Sequence, residues 1–265
     1  MSPGARELPE ATASGGRAGE AWRTLRTVAW ALFLATVIRE TIFETYYVPS
    51  ESMLPTLLIG DHMIVDKLRY GVRIPFTNAR ATSGRDPERG DVVIFWIGRK
   101  GPADVCPVDR CPGWPREGFV KRIVGVPGDT IEVRGGRVIL NGERLPTSFG
   151  SETFEDDAGV PLLLGREALG ASTHAVLDHP HHEGTEQVHI TVPDGRYFVM
   201  GDNRDNSNDS RSWGTVRRED LVGRVTHTYW SWNNRESWLA MLNPFTWWRL
   251  LTSETRWERI GQRVE

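Results

Sequence analysis

Read from the N-terminus, the hydrophobic pattern changes character twice. Residues 1–21 are rich in Gly, Ala, Pro and Glu and show no hydrophobic period, which reads as a disordered tail. An uncharged, mostly apolar run follows from Thr27 to Ile38, bounded by Arg26 and Arg39. Twelve helical residues span only ~18 Å against a hydrocarbon core of ~30 Å, so the run alone suits a buried helix or a signal-peptide core. Extending it to 22–48 adds Trp22, Leu25, Ile42, Phe43, Tyr46, Tyr47 and Val48, with arginines able to snorkel and aromatics suited to the interface. That makes 22–48 a candidate membrane anchor. Arg6, Arg17, Arg23 and Arg26 precede it, which would leave the N-terminus in the cytoplasm.

Beyond residue 50 the period shortens. "HMIVDKL", "DVVIFWI", "FVKRIVGV", "DTIEV", "RVIL", "QVHITV", "RYFVMG" and "LVGRVTHTYW" are short runs of β-branched and aromatic residues. Gly135-Gly136 between two of them is a hairpin signal. These segments predict a mostly β body over 49–141 and 187–229, a barrel or sandwich. Residues 142–186 look polar and irregular, an insertion carrying His174, His179, His181 and His182 without a metal-ligand spacing. Residues 230–265 hold six of the 11 Trp and one interrupting Pro244. They fit either an interfacial segment or a helix packed on the body.

Composition narrows the class. With 265 residues, 39% hydrophobic and net charge −3, the chain is neither a polytopic membrane protein nor a dedicated nucleic-acid binder. Of 32 basic residues only Lys67, Lys100 and Lys121 are lysines. Arg keeps its proton and Lys can lose it, so each Lys is a candidate for proton chemistry. Lys67 and Lys100 sit in polar sequence and read as surface residues. Cys106 and Cys111 are too few for a zinc site and too far apart for CxxC chemistry; a local disulfide and two free thiols are both open.

Three segments concentrate chemistry. "VPSESMLPTLLIGDH" offers the hydroxyls of Ser50, Ser52 and Thr56 between Pro49 and Pro55, with His62 in a polar turn as one possible base. In "FVKRIVGV", strand alternation puts Phe119, Lys121 and Ile123 on one face and Arg122 on the other. An apolar setting lowers a Lys pKa, and a serine with a neutral Lys is an alternative to Ser-His-Asp; snorkelling at a strand end is the competing account. "GDNRDNSNDSRSWG" packs Asp, Asn, Ser and Arg as a network of Asx turns and ion pairs, and lacks the closing Glu of a calcium loop.

Taken in order, "PSESMLPTLLIGD", "GDVVIFW", "FVKRIVGVPGDTI" and "GDNRDNSNDSRSWG" resemble the sequence boxes of the bacterial type I signal peptidases, over roughly residues 22–228. The resemblance implies an antiparallel β catalytic domain with an inserted loop or β subdomain after one transmembrane helix. It implies a Ser-Lys endopeptidase that cuts preproteins after a small-x-small motif, with no metal or organic cofactor. Residue by residue, it makes Ser52 the nucleophile and Lys121 the general base. Ser50 joins the Ser52 N–H in the oxyanion hole, Ser207 orients the Lys amine, and Asp209 with Arg211 forms a supporting ion pair. Glu51 departs from the Gly common between the two serines and is expected to point outward. The implied partners are preproteins and membrane lipid, not nucleic acid, with the enzyme acting as a monomer. The implied location is the cytoplasmic membrane, single-pass, with the catalytic domain on the outer face. A self-cleaving repressor-type protease would need a DNA-binding module that residues 1–20 cannot form.

Overall fold

A computed structural model describes residues 15–72, 74, 80–102, 104–156, 158–180, 188–233, 248, 252 and 254–265. Helix α1 (Gly15–Thr41) leads into β1 (Phe43–Tyr47) and, after the turn bearing Ser52, β2 (Asp61–Asp66). Then come β3 (Val92–Arg99), β4 (Val105–Cys106) and β5 (Arg116–Gly125). The chain continues with β6 (Thr130–Arg134), β7 (Arg137–Leu140), β8 (Glu143–Arg144), β9 (Thr147–Glu155), β10 (Pro161–Leu169) and β11 (Ser172–Asp178). It ends with β12 (Val188–Thr191), β13 (Arg196–Met200), the short α2 (Ser210–Trp213), β14 (Val216–Arg217) and β15 (Leu221–Ser231).

The strands form three antiparallel sheets. The main one runs β1-β2-β15-β3-β5-β13-β14, with β4 on the edge of β3; the others run β11-β10-β9 and β12-β6-β7-β8. Alternation is visible in β2, whose Asp61, Met63 and Val65 are buried while His62, Ile64 and Asp66 are half-buried. One core gathers Met53, Leu57, Met63, Val65 and Ile94 beneath the Ser52 turn. A second places Val93, Phe95, Ile123, Tyr197, Val199 and Trp213 behind β5. Each buried side chain of this size contributes roughly 1.5–3 kcal/mol, so the Ser52 turn and β5 both rest on packed core. The Gly135-Gly136 turn joins β6 to β7, as the sequence predicts.

Several expectations are corrected. The segment 22–48 is not one helix. Gly15–Ala21, expected in the tail, is helical, α1 stops at Thr41, and "FETYY" pairs with β2 as a strand. Two bonds end the helix, from the Lys67 amide to the Ile42 carbonyl at 3.0 Å and from Lys67 Nζ to the Arg39 carbonyl at 3.2 Å. Lys67 is therefore no surface residue: it is 5% exposed and pairs with Glu44 at 2.7 Å. Among the described residues no helix is long and apolar enough to cross a membrane. The remainder of the predicted tail, 1–14, lies outside the described residues.

The 142–186 stretch is not irregular, since it carries all of β9, β10 and β11. Its polar look comes from solvent-facing positions of a three-stranded sheet that still buries Leu162, Leu169, Val176 and Leu177. His181 and His182 lie outside the described residues, but His174 is buried. His62 is in β2 rather than in a turn. The end of the Trp-rich tail folds back on β15: the Val264 amide bonds the Thr226 carbonyl at 2.9 Å, and Arg259 reaches Asp61 at 2.5 Å. Trp230 and Trp257 meet edge to face at 5.7 Å, while Trp238 and Trp247 fall outside the described residues. Cys106 and Cys111 are joined as a disulfide.

Candidate active site

Ser52 sits on a single 3-10 turn, Glu51–Met53, between β1 and β2. The turn is pinned from inside by Met53, fully buried, and from the side by the 201–206 loop. Asn203 donates its amide to the Ser52 carbonyl and its side-chain N–H to the Glu51 carbonyl, both at 3.2 Å. A Cβ on Gly201 would collide with the Ser52 carbonyl oxygen and with Ser207 Oγ, so glycine is required where the two loops touch.

Lys121 reaches this turn from the middle of β5. Its Nζ lies 2.6 Å from Ser52 Oγ and donates to its neighbour's carbonyl, Val120 O, at 3.0 Å. Only 4% of the residue is exposed. Burial pulls its pKa down from 10.5 to about 8; Asp209 and Asp202 pull the other way and Arg211 assists. The 2.6 Å contact suits both protonation states, since an ammonium donates to the hydroxyl oxygen and a neutral amine accepts the hydroxyl proton. Phe119, on the same strand face, lays its ring 5.6 Å from Nζ.

The other predicted residues gather around this pair with unequal contact. Ser50 is exposed, its Oγ 3.4 Å from Ser52 Oγ. Ser207 lies beside Gly201 with its Oγ buried, facing the Asp209 side rather than bonding Lys121. Asp209 and Arg211 form a two-pronged ion pair, both contacts 2.8 Å, almost wholly buried. Asp209 also caps α2 and accepts the Gly201 amide at 3.0 Å. Burial pushes its carboxyl up, but Arg211 and the Gly201 amide outweigh that and hold it below the usual range. Glu51 does not point freely outward. It is half-buried and accepts from Asn206 Nδ2 at 2.8 Å. Thr56, one of three candidate hydroxyls, is turned away to Asp202 at 2.6 Å. His62 is enclosed by the rings of Tyr47, Tyr229 and Trp232, and no bond links it to Ser52.

Behind the site lies a charged frame that the sequence reading missed. Arg122, on the opposite strand face from Lys121, is buried against Asp202 through contacts of 2.8 and 2.7 Å. Arg204 makes the same kind of fork with Glu167 of β10 at 2.8 and 2.5 Å. His174 of β11 lies between the two pairs, 3.6 Å from Glu167 and 3.9 Å from Asp202. Burial drives its pKa down to about 4, so it is neutral at pH 7. Asp202 and Glu167 are raised by burial but held low overall by Arg122 and Arg204. Arg122 and Asp202 were visible as charges within strand-like and loop-like runs; His174 stood out only as one of a group of histidines in an expected loop, and Glu167 gave no signal.

A cleft of about 430 Å³ opens over Ser52 and Lys121. Its walls include Tyr46, Ile59, Met63 and Ile94, with Arg99 and Glu117 at the rim. Among the described residues no group of three or more His, Cys, Asp or Glu is placed to hold a metal ion. The arrangement can take a proton from a hydroxyl inside an apolar groove and supply a second hydroxyl beside it, the elements of acyl transfer.

Comparison with known proteins gives one family. The family model "Signal peptidase, peptidase S26" matches residues 21–230. Signal peptidase I of Pseudomonas aeruginosa is 35% identical over 213 residues, covering 76% of this chain and 69% of that protein. The probable signal peptidase I-2 of Synechocystis is 34% identical over 205 residues, covering 77% and 71%. A crystal structure of a signal peptidase I from Enterococcus faecalis is 27% identical with a TM-score of 0.31, covering 54% of this chain and 98% of that one.

Proposed function

This chain belongs to the signal peptidase family, peptidase S26, serine endopeptidases that take preproteins as substrates, and from that premise we propose that Ser52 is the nucleophile and Lys121 the general base. The observation that carries the assignment is the buried 2.6 Å contact between Lys121 Nζ and Ser52 Oγ. Neutral Lys121 takes the Ser52 proton as Oγ attacks the scissile carbonyl carbon. The oxyanion forms against the Ser52 amide and the Ser50 hydroxyl. Collapse breaks the C–N bond, the Lys121 ammonium returns its proton to the departing amine, and an ester to Ser52 remains. Lys121 then takes a proton from water as its oxygen adds to the ester carbonyl, the bond to Ser52 Oγ breaks as Lys121 returns that proton to Oγ, and the signal peptide leaves as a carboxylic acid that ionises in solvent. Ser207 is assigned to accept from the Lys121 amine, and Asp209 with Arg211 to hold the 201–211 loop. The apolar, narrow wall of Met63, Ile94 and Val120 supports a preference for small side chains, cut after small-x-small.

We assign α1 to anchoring the enzyme, as a monomer, in the cytoplasmic membrane, with the N-terminus inside and the catalytic domain outside. Trp22, Leu25, Trp30, Leu32, Phe33 and Ile38 all project into the surroundings, which supports a lipid environment. The disulfide supports an extracytoplasmic domain, because such bonds persist in oxidising compartments.

The test is cleavage of a signal-peptide substrate with mass spectrometry of the products. Wild type should cut after small-x-small, and Ser52→Ala and Lys121→Arg should lose at least about 10³-fold while remaining folded. Undiminished cleavage by Lys121→Arg would remove Lys121 from the mechanism. Alkaline extraction of membranes tests the anchor. Full-length protein should stay in the pellet and a chain starting at Phe43 should not, and equal release of both would refute anchoring by α1.

A further inference from the structure

The hexapeptide Cys106–Cys111 closes a small loop between β4 and β5, and nothing in the catalytic assignment uses it. The loop is built to present two side chains. The amides of Arg110 and Cys111 both bond the Pro107 carbonyl, at 2.9 and 3.1 Å, while Val108 is buried beneath. Asp109 forms an ion pair with Arg196 of β13 and lies 3.9 Å from Arg217 of β14. The backbone is thus tied by the disulfide and Asp109 is tied to two strands, with Arg110 next to it on the exposed side of the loop. Its guanidinium donates to the Trp213 carbonyl, the last residue of α2. It also lies over Gly214, where the chain turns with φ +89 and a Cβ would strike it.

That contact bears on the catalytic base from two sides. The first residues of α2 are capped by Asp209, which binds Arg211 and the Gly201 amide beside Ser207 and Ser52. From the other side, the Trp213 indole packs on Phe95 at 5.9 Å, Phe95 on Phe119 at 6.4 Å, and Phe119 lies 5.6 Å from Lys121 Nζ. A helix of four residues has a single turn of internal bonds and frays without external ties. Here the start is held by the Asp209 cap and by the Val199 amide on Ser210 Oγ at 3.0 Å, Arg211 holds the Arg204 carbonyl at 2.6 Å, and Arg110 meets the end.

We propose that Arg110, held in place by the Cys106–Cys111 loop, is a positioning residue for catalysis: it clamps the end of α2 so that the Asp209–Arg211 pair and the Trp213–Phe95–Phe119 stack keep Lys121 dry and aimed at Ser52. The proposal rests on Lys121 being the base. Loosening α2 lets water reach Nζ, reduces the desolvation that lowers its pKa, and leaves less neutral amine at pH 7. The signature is a displaced acid limb rather than a uniform loss.

The experiment compares full-length wild type, Arg110→Met, Arg110→Lys and the double variant Cys106→Ser/Cys111→Ser. It measures kcat/KM on one signal-peptide substrate from pH 6 to 10, with the thermal midpoint of each protein. Arg110→Met and the double cysteine variant should move the acid limb up by about 0.5 to 1 unit, so rates fall roughly three- to tenfold at pH 7 and converge with wild type at pH 10. Arg110→Lys, which keeps a donor for the Trp213 carbonyl, should lie between. An unmoved limb in Arg110→Met overturns the proposal, whether activity is unchanged or uniformly reduced, because a merely structural brace lowers the thermal midpoint without moving the limb. Arg110→Met leaves the disulfide intact and decides the matter if the cysteine variant does not fold. Inactive wild type, or wild type with no limb near the pKa of Lys121, would instead strike the Ser-Lys reading.

Discussion

Lys121→Met should abolish cleavage and yet stabilise the protein at neutral pH. The side chain is 4% exposed, and burial lowers its pKa from 10.5 to about 8. Between those values the unfolded chain holds a proton that the folded chain has released. Stability therefore rises with pH through the window from about 8 to 10.5 and is fully depressed below it. A shift of this size corresponds to about 3 kcal/mol, the destabilisation the protein carries at pH 7 in order to have a releasable proton next to Ser52. Methionine fills the same tunnel without charge. It forfeits the bonds to Ser52 Oγ and Val120 O, each worth about 1 kcal/mol net. The balance is a gain of about 1 kcal/mol at pH 7 and a loss of about 2 kcal/mol near pH 11, so the difference changes sign inside the window. Urea unfolding of wild type and variant at pH 7, 9 and 10.5 reads this directly, because other titrating groups cancel in the comparison. A variant that is less stable by the same amount at every pH would show that the folded protein does not lower the Lys121 pKa. Neutral-amine catalysis would then lose its physical basis.

The buried frame gives further tests. Arg122→Met leaves Asp202 charged and buried, and should cost about 3–5 kcal/mol in urea unfolding, with part recovered in Arg122→Met/Asp202→Asn. His174, held at about 4 against an ordinary 6.5, makes stability fall as pH drops through that interval, because the unfolded chain takes the proton first. His174→Leu should flatten that slope, and an identical slope would exclude His174 as its source. Lys67→Met, which removes the Nζ bond to the Arg39 carbonyl and the ion pair to Glu44, should cost about 2–4 kcal/mol without moving the acid limb of cleavage. A displaced limb in Lys67→Met would show that the α1–β1 junction reaches the base.

The residues to which the proposed reaction is assigned were legible because each is a local statement. A Lys alternating with Phe119 and Ile123 must share their face, and a Ser between two prolines must sit on a stiff turn. The frame was not legible because it is a product of three-dimensional adjacency. Arg122 was assigned to the far face of its strand, which is right, but a far face can be as buried as the near one when a second sheet covers it. Glu167 and His174 lie in strands whose outward residues gave the stretch 142–186 the look of a loop. Their partners, Arg204 and Asp202, are about 30 to 40 positions downstream, and no period connects them. The α1 boundary failed for the reverse reason. The aromatic residues 43–47 are as apolar as an anchor's flank, and hydropathy cannot see that β2 offers them a strand to pair with.

The lysines show how far composition alone can carry. Scarcity marked all three, but scarcity does not distinguish the reasons for keeping a Lys. Lys100 lies 4.7 Å from the Trp114 ring, in the segment where the chain leaves β3. Lys67 is buried with the Glu44 carboxylate and a helix carbonyl. Lys121 is buried with a hydroxyl and one carbonyl, and the carboxylates nearest it are already occupied by Arg122 and Arg211. Equal burial thus serves different ends: Lys67 ties Glu44 to the end of α1, whereas Lys121 faces the Ser52 hydroxyl. The arginines that neutralise Asp202 and Asp209 belong in this sense with the base proposed at Lys121, since either carboxylate left unpaired would pull the Lys121 pKa back up. Arg211→Met should therefore shift the acid limb of cleavage to higher pH even though Arg211 touches neither Ser52 nor Lys121, and a limb that moves down instead would refute this account of the frame.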